Sequence, residues 1–257
     1  MISDSDATGL YHAIGTSGRG AQLLNNRVLG YSGDGARALG DNSLVRGNSF
    51  QDCVKVDGNH DDGFMAWSLG PGKTVGQGTI KGLVIENNLI EEWTGPKNHP
   101  LICELQGIFI GGYLDDLVIR NNVVSVSAYH GITAYGVTRG LIANNTLINS
   151  RGPSRTQPWI GIWGHKDRRS RQVSVVNNIA PLFKVDAKPG SSPGQFKNAA
   201  LVYPAQQLRA PYSGDYRPLP GSGLVDSGNS RLAPGEDIAG NPRPSGAGVD
   251  IGAYENR

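Results

Sequence analysis

The sequence predicts an all-β solenoid of coils about 22 residues long, and two observations carry that reading. The first is a recurring polar corner. Asn stands at the end of an apolar stretch in Leu23-Leu-Asn-Asn26, Leu44-Val-Arg-Gly-Asn48, Leu83-Val-Ile-Glu-Asn-Asn88, Leu117-Val-Ile-Arg-Asn-Asn122, Leu141-Ile-Ala-Asn-Asn145 and Val173-Ser-Val-Val-Asn-Asn178. Asn26 to Asn48 is 22 residues and Asn122 to Asn145 is 23, while gaps of 40, 34 and 33 are that period plus an insertion. Units of this length cannot bury their own apolar face and must stack on their neighbours. The repeated Asn suits a sharp turn, because it tolerates left-handed backbone angles and its amide can bond the Asn of the next coil. The second observation is composition. Thirty-seven Gly and fifteen Pro in 257 residues favour many tight turns and few helices.

A second strand precedes each Asn-bearing strand and aligns on a small residue: His12-Ala-Ile14, Asp34-Gly-Ala36, Asp62-Gly-Phe64, Gln106-Gly-Ile108, His130-Gly-Ile132 and Ile160-Gly-Ile162. One and three residues beyond it the side chains are apolar or small, so they point inward. Period-two alternation then sends Arg37/Leu39, Met65/Trp67, Phe109/Gly111, Thr133/Tyr135 and Trp163/His165 outward. Gly- and Pro-rich insertions at 68–80, 93–100, 150–158 and 166–172 read as corner loops. Coils are expected over 1–182 and a loop-rich capping segment of the same domain over 183–257, with Val249–Glu255 as a terminal strand closing the far end. The first coil has no amphipathic cap, which predicts a preceding segment or a covering subunit.

Composition also narrows function. A net charge of +2 gives no bulk electrostatic reason to expect nucleic acid, and no stretch has the roughly 18 apolar residues of a membrane span. Cys53 and Cys103 fall on different coils and are expected as buried free thiols. Met1-Ile-Ser-Asp-Ser-Asp does not read as a signal peptide.

This layout resembles the right-handed parallel β-helix proteins of the pectate-lyase-like superfamily over roughly residues 9–182. The tail Leu224-Val-Asp-Ser-Gly228, Asp237-Ile-Ala-Gly-Asn-Pro-Arg-Pro244 and Asp250-Ile-Gly-Ala-Tyr-Glu255 resembles the closing segment of exported bacterial β-helix proteins. Asn59-His60-Asp61-Asp62-Gly63 is similar to the paired Asp of polygalacturonases, and Tyr129-His130-Gly131-Ile132 to their Gly-His-Gly. The resemblance implies Asp61 and Asp62 as acid and base with His130 as helper. It departs from the family in placing the coil of Gln106 between the Asp pair and His130. Two adjacent carboxylates also repel, which separates an acid from a base.

Outward Trp67, Phe109, Tyr135 and Trp163 form a row on which sugar rings can stack. His165 and Lys166, at the start of a basic run reaching Arg171, could hold the carboxylates of an acidic glycan. No motif fixes a metal site, although Asp61, Asp62 and Glu104 could offer oxygens to calcium. The expectation is therefore an extracellular or virion-associated protein, monomer or homotrimer, acting on a polysaccharide. It would cleave a uronate-containing chain by elimination or hydrolysis. The alternative is a non-catalytic glycan-binding or tailspike-type β-helix.

Overall fold

Three parallel sheets wind around one apolar interior in the computed structural model, which describes residues 1–186 and 194–256. Sheet I contains Ile2–Ser3, Gln22–Leu24, Leu44–Arg46, Val84–Glu86, Leu114–Arg120, Val137–Ala143, Arg171–Val176 and Gly194–Phe196, with Ile80–Lys81 paired at its side. Sheet II contains Asp6–Thr8, Arg27–Leu29, Ser49–Gln51, Leu89–Glu91, Val123–Val126, Thr146–Asn149, Ile179–Ala180 and Ala199–Ala200. Sheet III contains Ile14–Thr16, Asp34–Ala38, Asp62–Trp67, Gln106–Gly111, His130–Tyr135, Trp159–Trp163 and Leu182–Val185. The chain visits I, II and III in turn, which makes the molecule a parallel β-helix.

Register explains the period. In sheet I, Leu23, Val45, Ile85, Ile119, Ile142 and Val175 pair from coil to coil, and all are buried. Sheet III stacks Ala36, Phe64, Ile108, Ile132 and Ile160 in the same way. Each coil therefore covers the apolar face that its neighbour cannot bury alone.

The corner between sheets I and II divides its work between two residues. The second Asn of each pair enters a buried ladder: Asn26, Asn48, Asn88, Asn122, Asn145, Asn178 and Asn198 are joined by amide-to-amide bonds of 2.9–3.0 Å. Left-handed backbone belongs instead to the preceding residue, at φ 53° for Asn25 and Asn121, 56° for Asn87 and Asn177, and 52° for Asn144, with Gly47 at 70°. Asn is tolerated there because its short polar side chain bonds locally.

Those left-handed Asn side chains hold the C-terminal segment. Asn121 Nδ2 donates to Glu236 O at 2.7 Å, Asn144 Nδ2 to Asp250 O at 3.0 Å and Asn177 Nδ2 to Asn229 O at 3.0 Å. Leu201, Leu208, Tyr216, Leu224, Ile251 and Ala253 pack on Val123, Ile148 and Ile179 beneath them. Tyr216 Oη reaches Glu91 at 2.6 Å. The tail thus runs back along the flank of several coils. Residues 249–255 form no strand, and the expected cap's stretch 187–193 lies outside the described residues.

Cys53 and Cys103 are buried as expected but are not thiols: they form a disulfide, with Cα atoms 5.7 Å apart. Fifty residues separate them in sequence, yet the 92–105 loop folds back over the previous coil. Cys103 N donates to Cys53 O at 3.4 Å, and Val54 bridges Ile102. Spacing along the chain could not reveal a contact made by a returning loop.

Candidate functional site: two histidines on an aromatic row

The outer face of sheet III carries the site. Asp34, Asp62 and Gln106 occupy equivalent register positions at the starts of successive strands. The carboxylates of Asp34 and Asp62 are buried at 1% and 0% exposure, under the loops that enter those strands. His60 lies over Asp62, its Nδ1 3.0 Å from Asp62 Oδ2, and 56% of the His60 side chain remains exposed. Asp61, also buried, is ion-paired with Lys55 at 2.9 Å. It is the imidazole, not the carboxylate pair, that meets solvent.

Burial dominates the electrostatics. Asp62 is pushed up to about 6, first by desolvation and also by the nearby carboxylates of Asp34 and Asp61, against the hydrogen bond from His60. Among the described residues its Oδ1 has no partner, nor do Asp34 Oδ1, Asp61 Oδ1 and Gln106 Oε1. No donor to the free oxygens of Asp61 and Asp62 offsets the cost of burying their charge. His60 is raised above 6.5 by its bond to Asp62, and Asp61 is raised by burial.

His130 is opposite in character. Its Nδ1 meets Thr133 Oγ1 at 3.0 Å, no carboxylate stands beside it, and burial pushes it down to about 4, helped by the positive charge of His60 and Lys184. Phe109 separates the two imidazoles, with ring centroids 6.4 Å from His60 and 4.8 Å from His130. One face therefore presents an imidazole that favours its proton and another that rejects it.

The row continues toward the C-terminal coils. Phe109 lies edge-on to Tyr135 at 5.8 Å, Tyr135 stacks on Trp163 at 5.6 Å, and Trp159 meets both His130 (5.6 Å) and Trp163 (5.9 Å). Lys184 sets its ammonium 3.4 Å from the centre of the Trp159 ring. This grouping depends on register. Sequence alignment on Gly131 and Gly161 sets Trp163 beside Thr133, whereas the observed register is slipped by two residues and pairs Tyr135 with Trp163, and a one-residue irregularity between His130 and Ile132 sets His130 opposite Trp159. A two-residue slip preserves inward–outward alternation, so the apolar pattern could not detect it.

Other residues fall elsewhere. Trp67 stands opposite Gly111 and under Arg37, whose guanidinium is 5.2 Å from its ring, outside the cluster around His130. His165 and Lys166 lie past the strand, at a corner with Tyr113, Asp167 and the loop carrying Gly76. Asp61, Asp62 and Glu104 do not gather around one point. Glu104 is exposed and lies 3.7 Å from Arg151. Among the described residues, the one close grouping of three metal-ligand types is Cys53, Asp61 and Cys103. Its sulfurs are joined to each other, so they supply no thiolate.

A cleft of about 730 Å³ opens beside His60 at the corner between sheets II and III. Lys55, Glu104, Gln106, Tyr129, Arg151 and Thr156 are among its walls. Glu92, 2% exposed, organises that wall by accepting from Leu105 N (3.1 Å), Ser127 N (2.8 Å), Ser127 Oγ (2.6 Å), Ser150 Oγ (3.2 Å) and Arg151 Nε (2.9 Å). Sequence reasoning missed His60 as an actor in its own right, along with Trp159, Lys184 and Glu92. Only His60 had a local signal, its position two residues before Asp62.

The chain matches no family model, and comparison with curated proteins and with solved structures found no match.

Proposed function

We propose that this protein binds an acidic, uronate-containing polysaccharide along the outer face of sheet III and cleaves it by acid–base chemistry, either elimination or hydrolysis. The observation behind this reading is the pair of imidazoles flanking Phe109, whose surroundings push their proton affinities in opposite directions. Environments that push two titrating groups apart assign an acid and a base. His130, neutral above about pH 4, takes a proton, either from the sugar carbon beside the carboxylate or from water. His60, kept protonated by Asp62, delivers one to the departing glycosidic oxygen. In this scheme Asp62 orients and charges His60 instead of touching the substrate, and Asp61 serves Lys55.

Tyr135, Trp163 and Trp159 offer stacking surfaces for sugar rings, and Lys184 places a positive charge where a uronate carboxylate would ride. Kinship with the pectate-lyase-like superfamily belongs to the same reading, supported by the parallel coils and the tail motifs. A buried disulfide supports an oxidising, extracellular setting. A virion surface would suit it equally. Among the described residues no helix is long and apolar enough to cross a membrane.

The second reading is a non-catalytic glycan-binding or tailspike-type module, favoured by the burial of Asp61 and Asp62 away from any substrate oxygen. A turnover screen on acidic and neutral polysaccharides, with and without calcium, separates the two. Ultraviolet absorbance from an unsaturated uronate identifies elimination, and new reducing ends without absorbance identify hydrolysis. Binding with no turnover on any substrate, from folded protein, overturns the enzyme reading. Sedimentation then distinguishes monomer from homotrimer.

A further inference from the structure

The Cys53–Cys103 disulfide is buried at the margin of the main apolar core, between two segments that line the cleft. The coils on either side are already held together. Ser49–Gln51 pairs with Leu89–Glu91, and Asp52 N and Cys53 N donate to Glu91 O and Glu92 O, so the ladder reaches the cysteine itself. Beyond that point both chains leave regular structure. One runs from Asp52 to Asp61 and carries Lys55 and His60; the other runs from Glu92 to Leu105 and carries Ile102 and Glu104. These two segments lie side by side and both line the same cleft.

We propose that the disulfide is a positioning element of the site, pinning the two walls so that His60 stays seated on Asp62. Other contacts join the same segments: Val54 bridges Ile102, Lys55 N donates to Leu101 O at 2.7 Å, and Cys103 N to Cys53 O at 3.4 Å. Thr94 N and Oγ1 donate to Asp52 Oδ1 at 2.7 and 2.8 Å, while Tyr11 Oη ties Asp57 Oδ2 to the first coil at 2.6 Å. Asp57 and Val56 are exposed, and so are Leu101 and Glu104, so these walls have little apolar packing of their own. By contrast, the corner linking Val126 to His130 is short and carries no covalent tie. Cross-linking restricts the conformations open to the segments it joins. With the bond broken, the coils keep their ladder and core while the segment bearing His60 gains freedom.

The inference rests on the proposed role of His60 only for its activity readout. Its primary test is the His60 titration, followed by the C2 proton in NMR. The measurement compares oxidised protein, protein reduced by a phosphine, and the Cys53→Ser/Cys103→Ser double variant. The phosphine supplies two electrons and takes the oxygen of one water, whose two protons complete the two thiols, leaving the phosphine oxide. We expect His60 to fall toward its ordinary 6.5 in both altered forms while His130 stays near 4. Cooperative unfolding and the far-ultraviolet spectrum should persist, and any glycan turnover should drop at least tenfold. An unmoved His60 titration with the bond absent overturns the proposal. So does reduction that proceeds only with global unfolding, since the bond would then hold the coils together and not the cleft segments alone. If no glycan is ever turned over, the functional reading fails and the titration still decides this one.

Discussion

His60 Nδ1 stands 3.0 Å from Asp62 Oδ2, an exposed imidazole resting on a fully buried carboxylate. Desolvation raises the carboxylate and the carboxylate raises the imidazole, so the two titrate as a pair. Asp62→Asn should return His60 toward 6.5 and lower any turnover by about 10²–10⁴-fold, the usual contribution of a positioned acid. NMR titration of the His60 ring checks the first part independently of substrate.

Rate should depend on pH as a bell. The acid limb lies near 4, where His130 gains its proton, and the alkaline limb lies above 6.5, where His60 loses one. In Asp62→Asn the alkaline limb should move down while the acid limb stays. A pH profile of kcat/KM measures both limbs.

Stability carries a matching signature at His130. Its folded-state value is lowered from 6.5 to about 4, so within that window the unfolded chain binds the proton more strongly and the native state loses stability as pH falls. His130→Gln has no such proton to exclude. Relative to the parent, the variant should gain stability between pH 6.5 and 4 and show a constant difference above pH 7. Urea melts at several pH values test this, and a difference independent of pH would sink it.

The Asn ladder should be costly to interrupt. Asn122 is fully buried, accepts from Asn88 N and Nδ2, and donates to Ile85 O, Arg120 O and Asn145 Oδ1. Asn122→Ala takes the side-chain partner from Asn88 N and one of two partners from Asn88 Nδ2, Arg120 O and Asn145 Oδ1, at roughly 1–3 kcal/mol for each group left stranded. A loss of about 3 kcal/mol or more in urea unfolding is expected.

Asn144 separates two effects in one position. Asn144→Gly keeps the left-handed turn and loses the bonds to Asp250 O and Gly252 O, whereas Asn144→Ala also strains the backbone at φ 52°. Both variants should speed protease cleavage within 201–256, with the alanine variant additionally less stable by about 1 kcal/mol. Limited proteolysis and thermal melts distinguish them.

The sequence by itself determined the coil. A polar corner near every 22 residues, with apolar residues in period two around it, has few solutions other than stacked turns, and the Asn ladder follows from that repeat. It also put Phe109, Tyr135 and Trp163 on an outward face, because alternation along a strand is a local property. Tertiary structure decided everything that depends on which coil meets which loop. The irregularity after His130 set Trp159 opposite it, and the two-residue slip of register paired Tyr135 with Trp163 and left His165 and Lys166 past the strand. A returning loop joined Cys103 to Cys53, and the fold buried both carboxylates of the Asp pair, Asp62 under His60 and Asp61 against Lys55. Register slips of two residues, loop returns and desolvation leave no periodic trace in a chain, since each arises from contacts between segments far apart along it.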